Sequence, residues 1–275
     1  MRRSAPGNKD RLPARDHSIA MIPAAARIIT TSSLVVTALG SLALWEVTAR
    51  IVNQSILPAP SAVLIALIDA LRDDLGLHML VSLYRVVASI GLAIGLAAPA
   101  GLILGQYPRI NKIFAPLIYL AYPVPKVVLV PIVLLFLGVG DLPKIIIITM
   151  ILFFQILVLV RDAAANIRPE LILSVRSLGA GRRALLRFVY LPASIPAILT
   201  SIRQSIGTAI AVLYIAELFA TRYGLGYYIF YHGSTLFDYP KMYAGVMAMG
   251  FLGILLYFSV DAVEKHICRW CASST

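Results

Sequence analysis

The sequence predicts an all-α integral membrane protein with six transmembrane helices and both termini in the cytoplasm. Three observations carry that reading. Of 275 residues, 60% are hydrophobic and only 13% charged, whereas a soluble domain carries about 45–50% apolar and about 25% charged residues. So many apolar side chains exceed what one compact domain of this length buries, which makes lipid the natural solvent for the surplus. The apolar residues also gather into stretches close to the roughly 20 needed to cross a bilayer. Finally, Lys and Arg concentrate on alternate connections, which is an orientation signal. The same composition sets aside soluble enzymes, and disordered chains, which need far lower hydrophobicity. With two cysteines, Cys268 and Cys271, close together near one end, no disulfide framework spans the chain.

Taken in order, residues 1–27 form a basic tail, expected to be disordered, with Arg2, Arg3, Lys9, Arg11 and Arg15. It has the look of a secretory n-region. The apolar stretch behind it is a full span long and lacks a clear small-x-small cleavage site, so it reads as an uncleaved anchor. Spans are expected near 28–49, 79–104, 113–137, 143–160, 197–220 and 242–260. Between the first two, Leu57 to Ser61 should make a turn and helix N-cap, and Ala62 to Leu71 a short helix at the outer interface. Pro116, Pro123, Pro125 and Pro131 interrupt the third span, as membrane helices allow when other groups satisfy the freed carbonyls.

The formal net charge is +11. In a soluble protein that would point to nucleic acid; here it reads as topology, with no nucleic-acid partner. Segments 1–27, 105–112, 161–203 and 261–275 together hold 17 Lys and Arg, against five on the opposite side. That asymmetry puts both termini in the cytoplasm.

The connection 161–196 is long for a chain of short connections. Pro169 and Glu170 suit a helix start, and Gly179-Ala180-Gly181 a break where positive φ is allowed. Leu178, Leu185, Leu186 and Val189 then form an apolar stripe, with Arg182, Arg183 and Arg187 on the other face. The expected result is two short helices bent at a glycine, before Pro192 returns the chain to the bilayer. Periodicity alone fits both a basic hairpin on anionic lipid and a docking element for a cytoplasmic partner.

The spacing Gly179, nine residues, Val189, one residue, Leu191-Pro192 resembles the signature loop of ATP-binding-cassette importer permeases: Glu-Ala-Ala, three residues, Gly, nine residues, Ile, one residue, Leu-Pro. Further segments resemble the nitrate, sulfonate and taurine branch of that family. They are Leu57 to Pro60, Ser82 to Val86, Tyr122 to Lys126, Leu137 to Gly140, Arg176 to Ala180, and Ala216-Glu217-Leu218 followed by Gly224-Leu225-Gly226. One departure stands out: the Glu-Ala-Ala positions hold Leu173, Ser174 and Val175, while Glu170 lies about one helical turn earlier on the same face.

The resemblance implies a type I importer (MetI-like) permease fold over residues 28–275, with its core at about 79–265, in the bacterial inner membrane. It further implies a small, anionic solute, a second permease copy in a homodimer, two ATPase subunits and an extracytoplasmic binding protein. The ATPases would receive the loop, with Glu170, Arg176, Leu178, Gly179, Ala180, Arg182, Arg183, Leu191 and Pro192 as its coupling residues.

No catalytic constellation is visible, and no cofactor or metal is expected. The sequence has no Gly-x-x-x-x-Gly-Lys-Ser/Thr phosphate loop, its four histidines lack ligand spacing, and Cys268-Arg-Trp-Cys271 is half a zinc site at most. Ionisable residues within spans are costly and become candidates. Lys126, four residues from Tyr122, either offers charge to an anionic solute or is capped by carbonyls that Pro123 and Pro125 leave free. Glu217 and Glu46 are expected to pair with Arg85, Arg222 or Arg50, although the resemblance sets Tyr214 and Glu217 towards a gate. Tyr223, Tyr227, Tyr228 and Tyr231 fit an interfacial aromatic belt or contacts to a binding protein. Two rival classes remain: an ion-coupled secondary transporter would need an internal repeat, and a membrane-embedded enzyme clustered His, Asp or Cys. Neither is found.

Overall fold

A computed structural model describes residues 31–219 and 221–268. The basic tail expected at 1–27, the first three residues of span one and Cys271 lie outside them. All regular structure among the described residues is helical. The helices are α1 (Thr31–Val52), α2 (Pro60–Arg72), α3 (Leu75–Gln106), α4 (Pro108–Ala121), α5 (Val130–Leu137), α6 (Asp141–Ala165), α7 (Pro169–Ser177), α8 (Arg182–Leu185), α9 (Leu191–Leu218), α10 (Leu225–Phe230) and α11 (Tyr239–Ile267).

Five helical stretches are long and apolar enough to cross a membrane, and a sixth span results if the bent pair α4–α5 counts as one. Span three is therefore not a single interrupted helix. α4 and α5 meet at 77° across Tyr122–Pro125 and a 3-10 turn at Lys126–Leu129, because Pro123 and Pro125 each remove an N–H donor in succession. Pro99 and Pro196 sit inside α3 and α9 without ending them. The expected interfacial helix is α2, and its first turn is capped differently from expectation. Glu46 of α1 accepts from the Ser61 backbone N–H at 3.1 Å and the Ser61 hydroxyl at 3.0 Å, and also pairs with Arg50 at 2.6 Å.

α3, α6 and α9 make the packed centre, with α6 the most enclosed span. Small residues let α3 approach α6 closely. A Cβ on Gly101 would stand 2.9 Å from the Val160 Cβ, and one on Gly105 would stand 2.5 Å from the Ala164 Cβ and 2.7 Å from the Arg161 carbonyl. With Ala93, Ala97 and Ala98 also buried, this is the small-xxx-small seam by which membrane helices gain dispersion contacts without a hydrophobic drive. Ile148, Leu152 and Ile156 of α6, with Ala209 and Leu213 of α9, are fully buried. α1 is peripheral: it meets α2, and its Trp45 ring lies 5.7 Å from Tyr243 of α11.

Candidate functional site

The segment 161–196 forms an arm whose first half touches little. α7 buries no residue. Glu170, Arg176, Arg182 and Arg183 are exposed, and none forms an ion pair among the described residues. Glu170 shares a face with Leu173 and Ser174, one turn on, where the loop signature would have Glu-Ala, and its backbone carbonyl accepts from the Ser174 hydroxyl at 2.8 Å. Gly179 ends α7 with φ +83°, its N–H bonded to the Arg176 carbonyl at 2.9 Å. Nothing lies within 4 Å of where its Cβ would be, so the backbone conformation and not space calls for glycine. Gly181, by contrast, has an ordinary φ of −76°.

Two expectations are corrected. Leu178 does not join the apolar stripe: Leu185 and Val189 are buried, while Leu178 is 85% exposed, because the helical register restarts after Gly179. Nor is the second short helix separate, and Pro192 does not mark a return. α8, a π turn at Leu186–Tyr190 and α9 run on as one helix over Arg182–Leu218. Pro192 sits at the start of α9 just beyond the π turn, where the wider turn accommodates its missing N–H. Leu191 is exposed and Ala180 and Pro192 half-buried. Past the break at Gly179–Gly181, the second half of the arm is thus continuous with the span that runs through the packed centre.

At the α4–α5 break the Lys126 side chain folds back on the backbone. Its Nζ donates to the carbonyls of Ala121 at 2.8 Å, Tyr122 at 3.2 Å and Val124 at 3.2 Å. The Ala121 carbonyl is the one that Pro125 cannot bond. All three ammonium donors are used, so Lys126 closes the break, as the carbonyl-capping alternative had it. The ammonium lies 4.5 Å from the centre of the Phe154 ring and borders a cavity of about 240 Å³ that Tyr122, Gln155 and Thr208 also wall. Tyr214 borders neither this cavity nor the one beside it.

A buried charged network joins α3, α6, α9 and α10 at the end opposite the arm. Arg85, 3% exposed, bonds Glu217 at 2.6 Å, Asp141 at 2.6 Å and the Tyr223 carbonyl at 2.8 Å. Glu217 is fully buried, with the Ser82 hydroxyl 2.9 Å from both carboxylate oxygens and the Gly226 N–H donating at 2.8 Å. The Leu225 N–H donates to Ser82 at 2.8 Å, and Nδ1 of His78 is 3.0 Å from the Gly224 N–H. Gly224, at φ +130°, has no room for a Cβ, which would strike the Glu217 carboxyl. The carboxylate of Glu217 therefore holds the Gly224–Gly226 turn, which matches its expected pairing with Arg85. Three separated motifs, Ser82 to Val86, Ala216 to Leu218 and Gly224 to Gly226, thereby become one site.

Beyond the turn the tyrosines stack. Tyr227 lies parallel to His78 and to Tyr231, with centroids 6.0 Å and 5.6 Å apart, and Tyr228 packs 4.3 Å from His232. Burial pushes the Tyr228 phenol far above its usual range, helped by Asp74, Asp238 and Asp73. Burial also holds the His232 imidazole below its usual value, against the pull of Asp238.

Residues that sequence reasoning passed over are Gln155, the one polar group in the apolar run 150–160 of α6, and Thr208, which follows Gln204 and Ser205 on α9; their side chains meet at 3.5 Å. A mid-membrane amide was the available signal.

A bundle of spans with one broken at a polar cavity, and a projecting arm continuous with the central span, is the build of a membrane-transport permease. Residues 93–270 match the family described as "Binding-protein-dependent transport system inner membrane component", and the chain belongs to that family. It is a permease of the ATP-binding-cassette importer kind in the inner membrane, a transport component and not a catalytic subunit. The taurine transport system permease protein TauC of Escherichia coli (strain K12) is 28% identical over 233 residues, covering 82% of this chain and 84% of that protein. The formylaminopyrimidine transport permease protein ThiX of Halalkalibacterium halodurans is 25% identical over 230 residues, covering 83% and 92%. Among solved structures, an inward-facing conformation of the MetNI methionine ABC transporter superposes with a TM-score of 0.60 at 17% identity, covering 69% of this chain and 94% of that one. That likeness supports the MetI-like fold.

Proposed function

We propose that the chain, as a homodimer, forms the translocation path for a small anionic solute of the sulfonate, taurine or nitrate kind. An extracytoplasmic binding protein delivers the solute and two ATPase subunits drive transport, each receiving one 161–196 arm. Both termini and the arm then face the cytoplasm, and the Arg85–Glu217 network lies on the outer side. The observation that carries this reading is mechanical: the exposed bend at Leu178–Gly179 leads at Arg182 into a helix unbroken to Leu218, which is the span bordering the Lys126 cavity. A push on the arm from Arg182 onward, when ATP closes the ATPase dimer, therefore reaches the path through one continuous helix. Arg176, Arg182 and Arg183 offer charge and Leu178 an apolar knob to a partner groove, and Glu170 stands in for the glutamate of the loop signature.

In the path, Lys126 supplies a fixed positive charge in a low-dielectric setting, which favours an anion. Tyr122 adds a phenol beside it, while Tyr214 and Glu217 brace the neighbouring turn. Reconstitution into proteoliposomes with ATPase and binding protein tests this: ATP- and binding-protein-dependent uptake of labelled taurine, ethanesulfonate or nitrate is expected. Uptake that needs neither ATP nor binding protein would refute it.

A further inference from the structure

The polar lining continues past Lys126. A second cavity of about 280 Å³ is walled by Tyr122, Gln155, Gln204 and Ser205, and Tyr122 and Gln155 border both cavities. Gln204, Ser205 and Thr208 share one face of α9, opposite Gln155 near the middle of α6. No carboxylate borders either cavity. Gln155 is ill-satisfied: its Nε2 reaches the Thr208 hydroxyl only at 3.5 Å, and its Oε1 is buried with no hydrogen-bond partner among the described residues. An unpaired amide oxygen at membrane depth is costly, and a donor on a bound solute relieves that cost.

We propose that the two cavities form one anion-selective solute station. Resting on the permease reading above, it adds the ligand chemistry and the residues that read it. The solute's oxyanion takes hydrogen bonds from the Tyr122 hydroxyl, the Thr208 hydroxyl and the Gln155 Nε2, and the Gln155 amide, whose Oε1 is turned away from the cavity in this structure, turns to bring that oxygen to an N–H or O–H of the same solute. The ligand class is therefore a small oxyanion that also bears a donor, such as an aminosulfonate. Lys126 is a positioning residue: its three protons are committed to backbone carbonyls, so its charge acts through space. The surrounding apolar wall from Ile151, Phe154 and Val212 leaves that charge little screened.

The test needs neither the solute nor the ATPase. In the full chain carrying Cys268→Ser and Cys271→Ser, in open membrane vesicles, Thr208→Cys and separately Ser205→Cys are labelled with two methanethiosulfonates. One bears a sulfonate and the other a trimethylammonium, and each rate is normalised to the same reagent's rate with a free thiol. Both positions are expected to react, with the anionic reagent favoured by about tenfold or more, since a unit charge about 12 Å away at an effective dielectric of about 20 already gives that factor. Lys126→Arg should keep the preference and Lys126→Met lose it. The station is refuted if neither cysteine reacts while exposed Arg222→Cys does, if the cationic reagent reacts as fast, or if the preference survives Lys126→Met. Should Lys126→Met fail to accumulate, the two reagents on the lysine-bearing chain still decide the charge sign. Failure here leaves the permease reading standing, because that fails separately in the uptake assay.

Discussion

Replacing Arg85 by Met removes the cation paired with the fully buried Glu217. Glu217, fully buried, would keep only the Ser82 hydroxyl and the Gly226 N–H, and the Tyr223 carbonyl would lose its donor. Asp141 matters less, since its side chain is half exposed and can turn to water. Leaving one buried charge without its partner costs about 3–5 kcal/mol. At about 2–4 °C per kcal/mol for a chain of this size, that lowers the midpoint of thermal unfolding by roughly 6–20 °C. The assay is thermal unfolding of the purified protein in detergent, followed by tryptophan fluorescence. The double variant Arg85→Met with Glu217→Leu should recover much of the loss, because no uncompensated charge remains. A shift below about 2 °C for Arg85→Met, or a double variant less stable than either single one, would mean the network does not hold the Gly224–Gly226 turn.

Three further outcomes are expected. Gly179→Asp should insert normally yet lose coupling, read as loss of binding-protein-stimulated ATP hydrolysis in the assembled complex; Gly179→Ala should cost only about 1 kcal/mol of backbone strain and retain most stimulation, since the site is open. Gly105→Leu drives a side chain into Ala164 and the Arg161 carbonyl, so the seam between α3 and α6 should separate and the protein fall in yield and midpoint, with a cost of about 1–3 kcal/mol or more. His232 is held neutral by burial, so its folded pKa lies below the ordinary 6.5. Stability is thus undiminished above that value and falls as pH drops through the window beneath it; His232→Gln should flatten the midpoint between pH 7 and pH 5.

The spans were legible because a bilayer demands apolar runs of set length, which composition alone reveals. Their boundaries were less so. Proline reads as a stop, yet Pro99, Pro192 and Pro196 lie within continuous helices, while the close pair Pro123 and Pro125 turns the chain by 77°. Leu178 was misassigned because helical periodicity was carried across Gly179, where the φ of +83° resets the register. The Arg85–Glu217 pair was legible since charges within lipid must find one another. Its bonds to Ser82 and the Gly224–Gly226 turn were not, as those partners lie more than 100 residues apart along the chain. Gln155 is hidden for the same reason: one polar residue in the apolar run of α6 shows no pattern until Thr208, across the cavity on α9, is set beside it.

Co-purification of the tagged chain from its native membranes tests the permease assignment most directly. An ATP-binding subunit in one-to-one association, released by loss of the 169–181 arm segment, is the predicted result. A chain that purifies without any ATPase and catalyses proton- or sodium-coupled uptake unaided would contradict it.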